Sequence, residues 1–185
     1  MLLFAWIEVL VCWAVWLYPF IARAPHRQKR PSITWAAPTR VGLALECVAI
    51  TAAFNLRMPA NGAPGAARVA GSLVCAAAGI VLGWTAVTHL GRQFRFSAGL
   101  YEDHQLVRTG PYAVVRHPIY ASLLAMLLCT ILLLTPWLWG LLAVAIFIAG
   151  TEIRVHAEDR LLESRFGEAF REYRRRVPAY VPFVR

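Results

Sequence analysis

Five apolar stretches set the terms for this sequence: residues 2–22, 38–56, 66–90, 118–134 and 137 to about 153. A run of roughly 20 apolar residues is long enough to cross the hydrocarbon core of a bilayer as a helix. Inside that core no water can satisfy a backbone N–H or C=O, so a spanning segment must bond its own backbone. Composition points the same way. The sequence is 59% hydrophobic and 16% charged, whereas soluble domains carry about 45–50% apolar and about 25% charged residues. What lies between the runs is too short for a separate soluble domain of at least about 50 residues. The expected fold is all-α: a polytopic membrane protein with about five transmembrane helices, a cytoplasmic loop before the fourth helix and a C-terminal amphipathic helix.

The placement of charge gives an orientation. The first stretch has no basic residue before it, and Arg23, Arg27, Lys29 and Arg30 follow it. That is the reverse of a secretory signal peptide, so the segment is expected to stay as an anchor. With the N-terminus outside, only Arg57 and Arg68 of the 19 basic residues fall on the external side. Cytoplasmic loops concentrate Lys and Arg in this way. The same distribution explains the net charge of +9 without nucleic acid, whose binding proteins gather their basic patch on a soluble motif. All four cysteines lie in apolar runs with no C-x-x-C pair, so neither a disulfide framework nor a zinc site is expected. The histidines lack metal-ligand spacing, and no phosphate loop, dinucleotide fingerprint or nucleophile elbow occurs.

Between the third and fourth stretches lies a polar island, residues 104–120. Gly110-Pro-Tyr112 reads as a turn, because Gly frees φ and Pro fixes it. His117-Pro118 reads as the start of the fourth helix, where a missing N–H costs little. That structural role leaves Arg116, His117 and Tyr120 unexplained. A helix N-terminus offers unpaired donors to an anionic group, and Tyr120 lies one turn after His117. Such polar density at membrane depth points to function.

Arg154 and Glu158 lie four apart at the cytoplasmic end of the fifth stretch and share a helix face. They can form a plain surface ion pair, or the arginine can hold a carboxylate or phosphate bidentately. Glu8 and Glu46 sit inside spans near opposite faces and are not expected to meet. Glu46 has either a direct role or a helix-packing hydrogen bond, and the second is favoured. In the tail, Leu162, Phe166, Phe170 and Tyr173 recur at helical spacing, with Arg160, Arg171, Arg174 and Arg175 opposite. This predicts a helix that runs on from the fifth span and lies along the membrane surface, its basic face near anionic lipid.

Several motifs together resemble the isoprenylcysteine carboxyl methyltransferase family. They are Leu90-Gly-Arg-Gln-Phe94, His104-Gln-Leu-Val107, Gly110-Pro-Tyr112, Arg116-His-Pro-Ile-Tyr120, Arg154-x-x-x-Glu-Asp159, Phe166-Gly167, Tyr173 and Arg176-Val-Pro178. The resemblance covers roughly residues 90–183. It implies one integral membrane domain over residues 1–185, with 1–65 a variable two-helix part and 66–185 the catalytic core and tail. It also implies S-adenosylmethionine as cofactor, held without the Rossmann-type fold of soluble methyltransferases. By the same resemblance, His104, Gln105, Leu106, Val107, Tyr112, His117, Pro118, Ile119, Tyr120 and Glu158 line the cofactor pocket. Arg154 and Arg116 face the substrate. The usual Glu-Glu pair is Glu158-Asp159 here; the first acid is the one carried to the cofactor. Ser97 stands near where some relatives have a glutamine.

The expected activity is methyl transfer to a lipophilic acceptor drawn from the bilayer, a prenylcysteine-like carboxylate or a lipid amine. Positioning and desolvation suffice for a carboxylate, since well-oriented reactants gain up to about 7–11 kcal/mol. An amine would need a base, with Glu158 or His117 as the candidate. Two other readings compete. Membrane reductases that use NADPH share an Arg-His-Pro-x-Tyr element but have longer transmembrane regions. A non-catalytic membrane protein or transporter would leave the polar island without a purpose.

Overall fold

The computed structural model describes residues 2–22, 32–33, 38–56, 64–94, 100–101 and 105–181. These residues form six α-helices: α1 (Leu2–Ala22), α2 (Pro38–Asn55), α3 (Ala66–Leu90), α4 (Pro118–Leu134), α5 (Trp137–Phe166) and α6 (Glu168–Arg176). Three of them, α1, α3 and α5, are long and apolar enough to cross a membrane, and α4 is a shorter apolar helix. The expected all-helical fold is present, with one small addition. Two short strands, β1 (Ser32–Ile33) and β2 (Leu100–Tyr101), pair antiparallel and tie the segment after α1 to the segment after α3.

The helices pack as two long pairs, α2 along α5 and α3 along α4, with α1 lying over α3 and α4. Helix α4 is the centre. Its residues Leu127 and Ile131 join Ala49, Ala53, Ala143 and Phe147 in a core between α2, α4 and α5. Met126 meets Trp16, Phe20, Val87 and Phe94 on the side of α1 and α3. A helix that is apolar all round belongs in such a surrounded position. Helices α4 and α5 follow each other through Thr135 and Pro136, as expected of a tight turn. Their main neighbours, however, are α3 and α2, because small residues open closer approaches there. Gly79 faces α4 so tightly that a Cβ would stand 3.0 Å from the Ser122 carbonyl oxygen, and a Cβ on Gly83 would stand 2.7 Å from Trp16 Nε1 of α1 and 3.2 Å from Ser122 Oγ of α4. Small residues at such crossings are the usual device for bringing helices together in lipid.

Arg68, one of two basic residues assigned to the external side, closes the far end of α4. Its guanidinium donates to the carbonyls of Ile131, Leu132 and Thr135 at 3.0, 2.6 and 2.7 Å and lies 4.8 Å from the Trp137 ring centroid. The last carbonyls of a helix have no partner within it, and a cation suits that end.

The tail departs from expectation. At about 1.5 Å per residue, the 30 residues of α5 run about 45 Å, against about 30 Å for a hydrocarbon core. The helix is therefore about ten residues longer than such a core requires. It then stops at Gly167, whose φ of 54° a residue with a Cβ adopts at a cost, and α6 begins at Glu168. Phe170 and Tyr173, expected on a membrane-facing stripe, are buried inside the protein. The apolar face of α6 is used for docking on the helical body.

Candidate functional site

The polar island is built by local turn chemistry. Gly110 takes a φ of 59°, and a Cβ there would collide with the His89 ring, so the loop lies directly on the end of α3. The turn Gly110–Ala113 follows, with Val114 and Val115 donating to the Pro111 carbonyl at 3.1 Å. Tyr112 is buried, and its carbonyl accepts the Tyr173 hydroxyl of α6 at 2.5 Å. Burial raises both phenols, Tyr173 to about 12.

The chain then meets the tail. The backbone N–H groups of Arg116 and His117 donate to the carbonyls of Pro178 and Ala179 at 2.9 and 2.7 Å. Arg116 reinforces the junction. It donates to Asp159 Oδ2 at 2.9 Å, to the Val177 carbonyl and to that of Arg174 at 3.3 Å. One guanidinium thus caps the C-terminal carbonyls of α6 and pairs with α5.

His117 stands between two acids. Its Nε2 lies 2.9 Å from Asp159 Oδ1 and its Nδ1 3.5 Å from Glu158 Oε2. Ionised carboxylates only accept hydrogen bonds, so an imidazolium with two N–H donors satisfies both. Burial pushes the imidazole pKa down, but the hydrogen bonds to Asp159 and Glu158 outweigh it and hold the pKa above its ordinary value. The same contacts hold both acids below their ordinary range against the opposing effect of burial. Tyr120 donates its hydroxyl to Glu158 Oε1 and stacks on His117 at a 5.7 Å centroid separation.

Arg154 completes the cluster from α5. Its guanidinium carbon sits 4.6 Å from the Tyr120 ring centroid. In place of the surface pair with Glu158, one of the two readings of that spacing, stands a buried one, because its Nη1 donates to Glu46 Oε2 of α2 at 2.5 Å. Thr151 donates to the other Glu46 oxygen at 3.0 Å. Of the two readings of Glu46, the helix-packing hydrogen bond is what the structure holds. Glu8 accepts from Ser72 at 3.0 Å, elsewhere in the fold.

The structure thus brings together His117, Tyr120, Glu158, Arg154 and Arg116, the last through Asp159. Pro118 is buried at the start of α4, Ile119 and the loop residues Leu106 and Val107 are half-buried, and Gln105 is exposed. His104 and Ser97 lie outside the described residues. Three residues matter more to the cluster than their sequence context indicates. Asp159, which the resemblance sets behind Glu158, is the acid that joins His117 to Arg116. Tyr180, whose hydroxyl donates to Glu152 at 2.6 Å, packs with Tyr120 and Val155. Neither it nor Glu46 gave a local signal of its partner. The Nε atoms of Arg154 and Arg116 and the Oε1 of Gln93 are buried without a hydrogen-bond partner. Among the described residues, no group of three or more His, Cys, Asp or Glu side chains is placed to hold a metal ion.

Comparison with known proteins bears on this cluster. The protein-S-isoprenylcysteine O-methyltransferase of Schizosaccharomyces pombe is 35% identical over 83 residues, 45% of this chain and 35% of that protein. Protein-S-isoprenylcysteine O-methyltransferase B of Arabidopsis thaliana is 35% identical over 109 residues, 57% of this chain and 55% of that protein. The cobalt-zinc-cadmium resistance protein CzcN of Cupriavidus metallidurans is 37% identical over 82 residues, 44% and 37% of the two chains. The chain spans about a third to just over half the length of these relatives. Residues 72–164 match the model of the isoprenylcysteine carboxyl methyltransferase family, half of the chain and the segment that carries His117, Tyr120, Arg154 and Glu158, so the chain belongs to that family.

Proposed function

We propose that this chain is a membrane methyltransferase that moves a methyl group from S-adenosylmethionine to the carboxylate of a lipophilic, prenylcysteine-like acceptor. The observation that carries the reading is the meeting of His117, Tyr120, Glu158 and Arg154 where the polar loop, α4, α5 and the tail converge. Family membership and the substrate named for two of the relatives support it.

The residues present fit the cofactor. A carboxylate held ionised beside the Tyr120 ring suits a ligand that carries sulfonium and ammonium charges. The Nε of Arg154 is buried without a hydrogen-bond partner, a donor that an anionic oxygen would satisfy. Glu158, Tyr120 and His117 are the residues that would hold the cofactor, with Tyr112 and residues 104–107 as the loop beside it. When bound, S-adenosylmethionine supplies an electrophilic methyl group and a neutral thioether leaving group. The protein's tasks are then to orient the acceptor carboxylate through Arg154 and to keep water out. Tyr120 keeps Arg154 and Glu158 in register, and Arg116 holds the tail over the junction. No base is needed, because the acceptor oxygen is already ionised.

Charge balance favours the carboxylate over an amine. With His117 protonated, the cluster holds three cations (Arg116, His117, Arg154) and three anions (Glu46, Glu158, Asp159), joined in the pairs described above. A monocationic cofactor and a monoanionic acceptor enter such a site without leaving a net charge in a poorly hydrated setting, where unpaired charge is costly.

We read the topology as five spans, the N-terminus outside and the site at the cytoplasmic face. The pairing of β1 with β2 supports it, since it requires the segments after α1 and α3 to lie at one end of the bundle. The 17 and 18 residues of α4 and α2 reach about 26–27 Å, slightly short of the core thickness.

Calorimetric titration of the purified chain with S-adenosylhomocysteine, S-adenosylmethionine and NADPH tests the proposal. Micromolar binding of S-adenosylhomocysteine is expected, lost in Glu158→Ala and His117→Ala. Arg154→Ala should keep that binding and lose turnover. Binding of NADPH alone would favour the reductase reading and sink this one.

A further inference from the structure

Glu46 sits on α2, outside the segment that matches the family, in the part of the chain that carries none of the motifs. Its burial and its two partners single it out. It is 1% exposed, pairs with Arg154, and accepts from Thr151, which lies one turn before Arg154 on α5. An arginine side chain has many rotamers and loses that freedom on being fixed. Three contacts fix this one: Glu46 on Nη1, the Tyr120 ring against its plane, and the gap at Gly42. A Cβ at Gly42 would stand 2.5 Å from Arg154 Cγ, so α2 leaves a slot for the arginine stem. With Nη1 engaged, the buried Nε is left without a partner.

We infer that Glu46 is a positioning residue: it holds Arg154 so that its unpaired Nε edge is presented to the acceptor's carboxylate. Helix α2 is then a working part of the site and more than a membrane anchor. The inference rests on the reading of Arg154 given above. It assigns Glu46 no contact with cofactor or acceptor.

The test uses Glu46→Gln, which keeps the shape and removes the charge, and Thr151→Val, which keeps the ion pair and removes the anchor of Oε1. Each is measured for S-adenosylhomocysteine affinity, for kcat and KM with N-acetyl-S-farnesylcysteine, and for the rate at which phenylglyoxal modifies Arg154, read by mass spectrometry. For Glu46→Gln we expect cofactor affinity within about threefold of wild type, an acceptor kcat/KM lowered at least about tenfold, and Arg154 modified at least about fivefold faster. Thr151→Val should shift the last two in the same direction by less, and it carries the test if Glu46→Gln does not fold. Glu46→Asp should keep part of the kcat/KM that Glu46→Gln loses, because it retains the charge with a shorter reach. Wild-type kinetics and modification rate in both variants would overturn the inference, as would a parallel loss of cofactor binding. A wild-type chain that transfers no methyl group would count against the functional reading instead, and the modification rates would still decide whether Glu46 holds Arg154.

Discussion

Gly42 and Gly150 let α2 and α5 cross backbone to backbone. A Cβ on Gly42 would lie 2.5 Å from the Gly150 carbonyl oxygen, and one on Gly150 2.6 Å from that of Gly42. Backbone cannot swing aside as a flexible side chain can, so the methyl must push the helices apart. Overpacking of this kind costs about 1–3 kcal/mol. Alanine at either position should lower the thermal unfolding midpoint in detergent. Gly42→Ala should in addition weaken acceptor kinetics, because its methyl also meets Arg154 Cγ. Equal kinetic effects of the two substitutions would show that the crossing, rather than the arginine slot, is what matters.

The Arg116–Asp159 pair carries the tail. Both side chains are about nine-tenths buried, so removing one charge leaves the other uncompensated, and breaking a buried pair in this way costs about 3–5 kcal/mol. Asp159→Asn should therefore destabilise the protein more than Glu163→Gln, whose partners Arg171 and Arg174 are exposed and contribute at most about 1 kcal/mol. Limited proteolysis near Val177 should speed up in Asp159→Asn and stay unchanged in Glu163→Gln.

Tyr173 offers a milder probe of the same docking. Phenylalanine at this position keeps the ring against Phe170 but leaves the Tyr112 carbonyl without its donor. An unsatisfied buried acceptor costs about 1–3 kcal/mol. The thermal unfolding midpoint should fall accordingly, with S-adenosylhomocysteine binding retained once the protein is folded. Unchanged stability would mean that the carbonyl finds water when the hydroxyl is gone.

Legibility followed the range of the forces involved. The extents of α1, α3 and α4 were readable from the chain, because an apolar run of membrane length has to bond its own backbone wherever it is placed. The loop's turn and the His117–Pro118 helix start were readable for the same local reason. The end of α5 at Gly167 was missed because apolar residues on both sides of the glycine keep helical spacing. Glu46 and Arg154 lie 108 positions apart, and no local pattern links an acid in one span to an arginine in another. Asp159 stands behind Glu158 in the sequence because the resemblance carries the first acid to the cofactor, and neighbours on a helix do not share a face. His117 nevertheless reaches both Glu158 and Asp159, because one imidazole presents a nitrogen to each.

The position of His117 between Glu158 and Asp159 gives stability a pH dependence whose sign is fixed. The imidazole pKa is raised above its unfolded value, ordinarily about 6.5, so its contribution is complete below that pH and is lost as pH rises through the folded value. The two acids are lowered from ordinary values of about 4.3 and 3.9. Their contribution is present above those values and is lost as pH falls through the folded ones. Stability should therefore be flat in the mildly acidic range and decline on both sides. On the alkaline limb, His117 contributes a slope of at most about 1.4 kcal/mol per pH unit. Midpoints measured from mildly acidic to alkaline pH should show that decline in the wild type, and His117→Gln should flatten it while lowering the plateau. S-adenosylhomocysteine affinity should weaken over the same alkaline range, since loss of the proton leaves Glu158 without its cation. A variant that keeps the wild-type slope would place the titrating group elsewhere and remove the charged imidazole from the site.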